Sequence, residues 1–138
     1  MIDSEALLEW KNITIRLADD IHQSGIERGW WQKEPWWKFW RRGKDKKRED
    51  VGSFFMNFVS EVAEAWEEYR DNKPMDAVWF DENSSPPYQP EGIPIEFADV
   101  IIRIFDVCAA YDIDIASAII MKVKYNEGRS YRHGGKRA

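Results

Sequence analysis

Two pairs of acidic residues, each spaced three positions apart, concentrate the chemistry of this sequence. The first is Glu61 and Glu64, in Ser60-Glu61-Val62-Ala63-Glu64-Ala65-Trp66, and the second is Glu96 and Asp99, in Ile95-Glu96-Phe97-Ala98-Asp99-Val100-Ile101-Ile102. On a helix, positions i and i+3 share a face. Both pairs lie among apolar residues, where an unpaired charge is costly. If the two helices pack together, four carboxylates converge and repel one another unless a cation lies between them. Magnesium suits such a place, because it takes oxygen ligands, keeps several waters and is commonly shared between carboxylates and substrate phosphates. Lys122, Asn126 and Arg129 form one stripe at i, i+4 and i+7, two cations and an amide fit for phosphate oxygens. Together these sets suit metal-assisted attack of water on a phosphoanhydride. The metal would orient the phosphates and lower the pKa of a bound water. Lys122 and Arg129 would stabilise the charge that builds on the phosphates, and Glu61 or Glu64, whichever is less committed to metal, would accept the proton.

Each set alone is ordinary. Glutamates at i and i+3 are common on solvated helices, Asp99 and Arg103 can form an intrahelical ion pair, and the Lys122 stripe alone reads as helix surface. The weight comes from all three sets occurring in order, with the acids beside apolar residues. A carboxylate-bridged di-iron bundle is disfavoured, because it requires Glu-x-x-His pairs and neither His22 nor His133 is so placed.

The elements that must hold these residues are helices. Trp10, Ile13, Leu17 and Ile21, spaced three or four apart, predict a first helix from Ser4 to about Ile26, with Ser4 as cap and Gly25 and Gly29 weakening its end. His22 lies near that end and by itself reads as a helix-end histidine. A second helix is expected from a Ser53 cap to Arg70 or Asp71, a third from Pro94 to Tyr111 or Asp112, and a fourth from an Asp114 cap to about Gly128. Residues 71–94 form a polar, proline-rich connection, expected to be a lid, an interface arm or disordered. The sequence contains no strand pattern of useful length and no repeats. The expected class is all-α, one domain over residues 1–138, with four main helices and a basic tail at 130–138.

Residues 29–50 are anomalous, with Trp30, Trp31, Trp36, Trp37, Phe39 and Trp40 ahead of a run of Lys and Arg. Stacking on single-stranded nucleic acid and a membrane-interface position compete with a plainer reading, in which the rings cap the core or a subunit interface and the charges are solvated. The plainer reading is favoured, since aromatics act mainly through buried area.

The acidic pairs, together with Pro90-Glu91-Gly92-Ile93-Pro94-Ile95-Glu96-Phe97-Ala98-Asp99 and with Lys122-x-x-Tyr125-Asn126-x-x-Arg129-x-Tyr131-Arg132-His133-Gly134-Gly135-Lys136, resemble the MazG-like all-α nucleoside triphosphate pyrophosphohydrolases, in particular their short single-domain members. The resemblance is close from Ser53 to the C-terminus and looser over the first helix. It implies a four-helix MazG-like bundle and magnesium-dependent cleavage of (deoxy)nucleoside triphosphates to monophosphate and pyrophosphate, with manganese able to substitute. It implies Glu61, Glu64, Glu96 and Asp99 as metal ligands. Lys122, Asn126 and Arg129, joined by Arg103, are implied as phosphate contacts, and His22 and Trp31 as residues near the base. It also implies assembly as a homodimer or homotetramer sharing the site across subunits. Ser60 stands where many members carry a further glutamate, so one metal ion or two is left open. The segment from Trp36 to Arg48 looks like an insertion.

Bulk composition is ordinary for a soluble globular protein. The chain is 138 residues long, 43% hydrophobic and 33% charged, with one cysteine, Cys108, in an apolar run, so a reducing, cytoplasmic setting is expected and no disulfide framework is possible. There is no signal-peptide pattern, and the most apolar stretch, Val100 to Tyr111, is interrupted by Arg103 and Asp106 and is too short to span a membrane. The net charge of −5 is unevenly spread: residues 38–48 carry +6 and residues 122–138 carry +5. Taking those eleven positive charges away leaves −16 on the remainder. That balance disfavours general nucleic-acid affinity and suits a metal–phosphate ligand. The alternative to an enzyme is a catalytically silent helical module that engages nucleic acid or a protein partner through the Trp/basic insertion.

Overall fold

The computed structural model describes residues 4–31 and 52–129. The insertion from Trp36 to Arg48 and the basic tail at 130–138 therefore lie outside the described residues. Among the described residues four helices, α1 (Ser4–Glu27), α2 (Gly52–Arg70), α3 (Ile93–Ala110) and α4 (Ile115–Glu127), carry the fold, with a two-stranded sheet between α2 and α3 in the chain. α3 is the most apolar helix and lies at the centre. α1 and α2 both pack against it, while α4 packs against α1.

The helix boundaries have local causes. α3 starts where Gly92 adopts φ 118, ψ 162, with Pro94 in the first turn. That backbone conformation is essentially restricted to glycine. A Cβ there would also stand 2.4 Å from the Ala77 carbonyl oxygen. α4 starts at Asp114, whose side chain accepts from Ser117 N at 2.9 Å, as its sequence position suggested. Lys11 Nζ of α1 donates to Asp114 Oδ2 at 2.8 Å and to Ser117 Oγ at 2.6 Å, which ties the start of α4 to α1. The bond from Lys11, followed by those from Ser117, holds the Asp114 carboxyl down at about 2. α2 is described from Gly52, one residue ahead of the Ser53 at which the sequence places its start.

Two further expectations are corrected. The connection 71–94 is not structureless: Trp79–Asp81 (β1) and Gln89–Glu91 (β2) pair antiparallel, Trp79 opposite Glu91. A loop of prolines can hold this shape because Ser84 closes it. Its Oγ donates to Asp81 O at 2.7 Å and accepts from Gln89 N at 2.9 Å. Pro90, which has no N–H, sits in the middle of a strand whose one partner among the described residues is β1, and such edge positions tolerate proline. The periodicity of α1 also misassigns its face. Thr14 and Ala18 are buried, whereas Trp10, Ile13 and Leu17 are largely exposed. The small residues allow α1 to lie close to α3, and the bulky ones face away from it.

Cys108 is buried, as its apolar setting suggested, and burial pushes its thiol pKa up. No helix is long and apolar enough to cross a membrane among the described residues.

Candidate functional site

The site is built on the α2–α3 contact. Glu96, Asp99, Arg103 and Asp106 follow one another on α3 at spacings of three, four and three, a polar stripe on the most apolar helix. Facing them on α2 is the stripe Phe54, Phe58, Glu61 and Ala65. The helices run antiparallel: Phe54, near the start of α2, meets Tyr111 just past the end of α3, and Glu61 meets Glu96 and Arg103 further along. From Glu96 to Asp106 the stripe extends about 15 Å along the helix axis.

At one end stand the acids. Glu61, Glu64 and Glu96 each offer a carboxylate oxygen within 4.8 Å of the others. Glu61 and Glu96 are buried and Glu64 is exposed. Ser60 Oγ donates to Glu64 Oε1 at 3.2 Å, which steadies Glu64. Glu96 carries the strain of the cluster. Burial, followed by the nearby charges of Glu64, Asp99, Glu61 and Glu91, raises its pKa from 4.5 to about 7. Three of the four expected ligands are thus brought together. Asp99 lies near enough to act on Glu96 through its charge but outside the close trio.

Arg103 occupies the middle of the stripe. Its Nε forms an ion pair with Glu61 Oε1, without the alignment of a hydrogen bond. Expected as a phosphate contact, it sits on a carboxylate of the acid cluster.

At the other end lies a cavity of about 360 Å³, lined by the aromatic rings of Trp30, Trp31, Phe54 and Phe58, by Ile102 and Val107, and by Asn57, Arg103 and Asp106. This size falls at the small end of small-molecule sites. Asp106 anchors its wall. Trp31 Nε1 donates to both carboxylate oxygens at 2.9 Å, and His22 Nδ1 lies 2.7 Å from Oδ1. The His22 and Asp106 side chains are only 18% and 13% exposed. The His22 ring meets Trp31 edge-on at 4.8 Å, and Trp31 stacks on Phe54 at 5.4 Å. Gly25 makes room for this arrangement: a Cβ there would approach Trp31 Cδ1 to 3.2 Å and Asp106 Oδ1 to 3.5 Å. Of the two residues expected near a base, Trp31 lines the cavity, while His22 stands behind it and does not. Asp106 was missed by sequence reasoning. Its signal was present, as an acid in the apolar run Ile104-Phe105-Asp106-Val107 continuing the Glu96-Asp99-Arg103 spacing.

Lys122, Asn126 and Arg129 are exposed, and Lys122 and Arg129 lie over the ring of Tyr125, at 5.0 and 5.6 Å. They sit on or just beyond α4, which packs on α1, away from the acids on α2 and α3. Among the described residues no ion pair or hydrogen bond joins this stripe to the acid cluster.

No family model, no curated protein and no solved structure matches this chain.

Proposed function

We propose that this chain is a magnesium-dependent nucleoside triphosphate pyrophosphohydrolase that acts in nucleotide-pool control. The observation that carries the reading is one continuous stripe with a crowded carboxylate trio at one end and an aromatic cavity at the other, with Arg103 between them. The donor set fits a hard cation: all-oxygen and multiply anionic, with Glu96 raised to about 7 by burial first and then by the neighbouring carboxylates. Glu61, Glu64 and Glu96, with Asp99 beside them, would hold magnesium, with manganese as a substitute. When bound, the ion supplies neutralisation of the phosphate charge and a lowered pKa for water.

The chain's own groups have separate tasks in this reading. Glu64, exposed and held by Ser60, accepts a proton from the attacking water as it adds to phosphorus and the phosphoanhydride oxygen leaves with pyrophosphate. Arg103 exchanges its Glu61 partner for a phosphate oxygen. The aromatic walls of the cavity take the base by stacking and exclude water from it.

Two observations support assembly of copies around this site. Phe55, Val59, Val62, Trp66 and Tyr69 make a heptad-spaced stripe on α2, next to the one facing α3, and each is 53–62% exposed. A stripe of that kind is what a second helix packs against. Lys122, Asn126 and Arg129 lie apart from the acids of their own chain, and a second copy seated on α2 gives them a route to the phosphates.

The test is pyrophosphate release from a panel of ribo- and deoxynucleoside triphosphates, with magnesium and with chelator. Magnesium-dependent release is expected. No release from any nucleotide would sink the reading and turn attention to the alternative of a binding module.

A further inference from the structure

We propose that Asp106 is the specificity-determining group of the cavity, and that the cavity takes nucleobases whose pairing edge sets an amino group beside an unprotonated ring nitrogen, adenine or cytosine, in preference to their oxo counterparts. The inference rests on the nucleotide reading above and deepens it.

The cavity walls suit a flat aromatic ligand: Trp30, Trp31, Phe54 and Phe58 are among the residues that line it, and every base offers a face for stacking. Stacking is tolerant of sequence, so discrimination falls to the polar groups. Three side chains supply them. Arg103 is engaged with Glu61. Asn57 has an amide that can donate or accept. Asp106 is a carboxylate, which only accepts. Its Oδ1 already takes two partners, His22 Nδ1 and Trp31 Nε1, whereas Oδ2 takes Trp31 Nε1. A carboxylate oxygen has capacity for a further donor, and Oδ2 is therefore the atom left to meet a ligand.

A base edge meeting that oxygen must bring an N–H. The amino group of adenine or cytosine does so, and the ring nitrogen next to it is an acceptor that the Asn57 amide can satisfy. The matching edge of uracil, thymine or hypoxanthine puts a carbonyl oxygen there, lone pairs against lone pairs. The cost of such a mismatch is large in a part-buried site, because the protein group is left unpaired. His22 serves as a positioning residue. By holding Oδ1 it fixes the carboxylate and leaves Oδ2 as the oxygen with capacity for a further donor among the described residues, and Gly25 keeps the space in which Trp31 sits.

The experiment compares pairs of probes that differ in this one group, dCMP against dUMP and dAMP against dIMP. Their binding to the full chain is measured by calorimetry, followed by pyrophosphate release from the corresponding triphosphates. The amino member of each pair is expected to bind at least ten-fold more tightly. In Asp106→Asn, whose amide presents a donor as well as an acceptor, that ratio should fall below three-fold while the melting temperature stays within a few degrees. A purely structural role would weaken both members equally and leave the ratio unchanged, and that result would overturn the proposal. So would equal binding of the two members by the unaltered protein, a comparison that needs no variant, or no binding of any monophosphate. Amino-selective binding without pyrophosphate release would remove the hydrolase reading and leave the cavity assignment standing. Release without amino selection would do the reverse.

Discussion

The carboxyl of Glu96 offers the sharpest test of the acid cluster. In the fold its pKa is raised from 4.5 to about 7, by burial first and then by the charges of Glu64, Asp99, Glu61 and Glu91. In the unfolded chain those causes vanish and the group ionises near its ordinary value. Between about 4.5 and 7 the folded state therefore binds more protons than the unfolded state, and stability falls as pH rises across that window. Below the window Glu96 is protonated in both states and costs nothing. Above it the full penalty applies. At about 1.4 kcal/mol per pH unit the difference is about 3 kcal/mol, and water reaching the exposed Glu64 edge lowers this to roughly 1–3 kcal/mol. For a chain of this size that corresponds to about 3–10 °C in Tm. The perturbation is Glu96→Gln, which keeps the shape and removes the titration. Melting curves in chelator at steps from pH 5 to pH 8 should show the native chain losing that much more Tm than the variant. Magnesium favours the ionised carboxylate, so at pH 8 it should restore the native protein far more than the variant. Identical pH slopes for the two proteins in chelator would refute the claim that these carboxylates crowd one another.

Glu61→Gln removes a buried carboxylate of the acid trio and the partner of Arg103; on the hydrolase proposal turnover should fall by at least a hundred-fold while circular dichroism is unchanged, and an unaffected rate would take Glu61 out of the site. Trp66→Glu places a charge in the middle of the exposed stripe on α2; light scattering should show the native chain as a dimer or tetramer and the variant as a monomer, and a native monomer would end the assembly proposal. Gly92→Ala forces a side chain into φ 118 and against the Ala77 carbonyl; it should cost at least about 2 kcal/mol in denaturant unfolding, and a neutral effect would mean that the hairpin and α3 are joined differently.

Much of the architecture was legible in the residues. The helix spacing, Pro94 in the first turn of α3, Asp114 as the cap of α4 and the burial of Cys108 all follow from local rules about caps, proline and apolar runs, and each is where those rules put it. The two acidic pairs were legible for the same reason, because i, i+3 spacing fixes a shared face whatever the helix packs against. What spacing could not decide is which face meets which. α1 has a bulky apolar stripe at Trp10, Ile13 and Leu17, yet it docks through Thr14 and Ala18, because close helix approach depends on small residues and on what the neighbour offers. The hairpin at 79–91 escaped pattern reading because its strands are three residues each, too short for an alternation, and are held by a Ser84 side-chain clasp. Only the packing of α1 on α3 brings His22 and Trp31 to Asp106 across 84 and 75 positions of sequence. Only the placement of α4 separates Lys122, Asn126 and Arg129 from the acids they seemed to complete. Sequence by itself determined the helices and the faces on which their chemistry lies, since those are set within a few neighbouring residues. Tertiary structure decided which of those faces meet, because that depends on the shapes and charges of residues far apart in the chain.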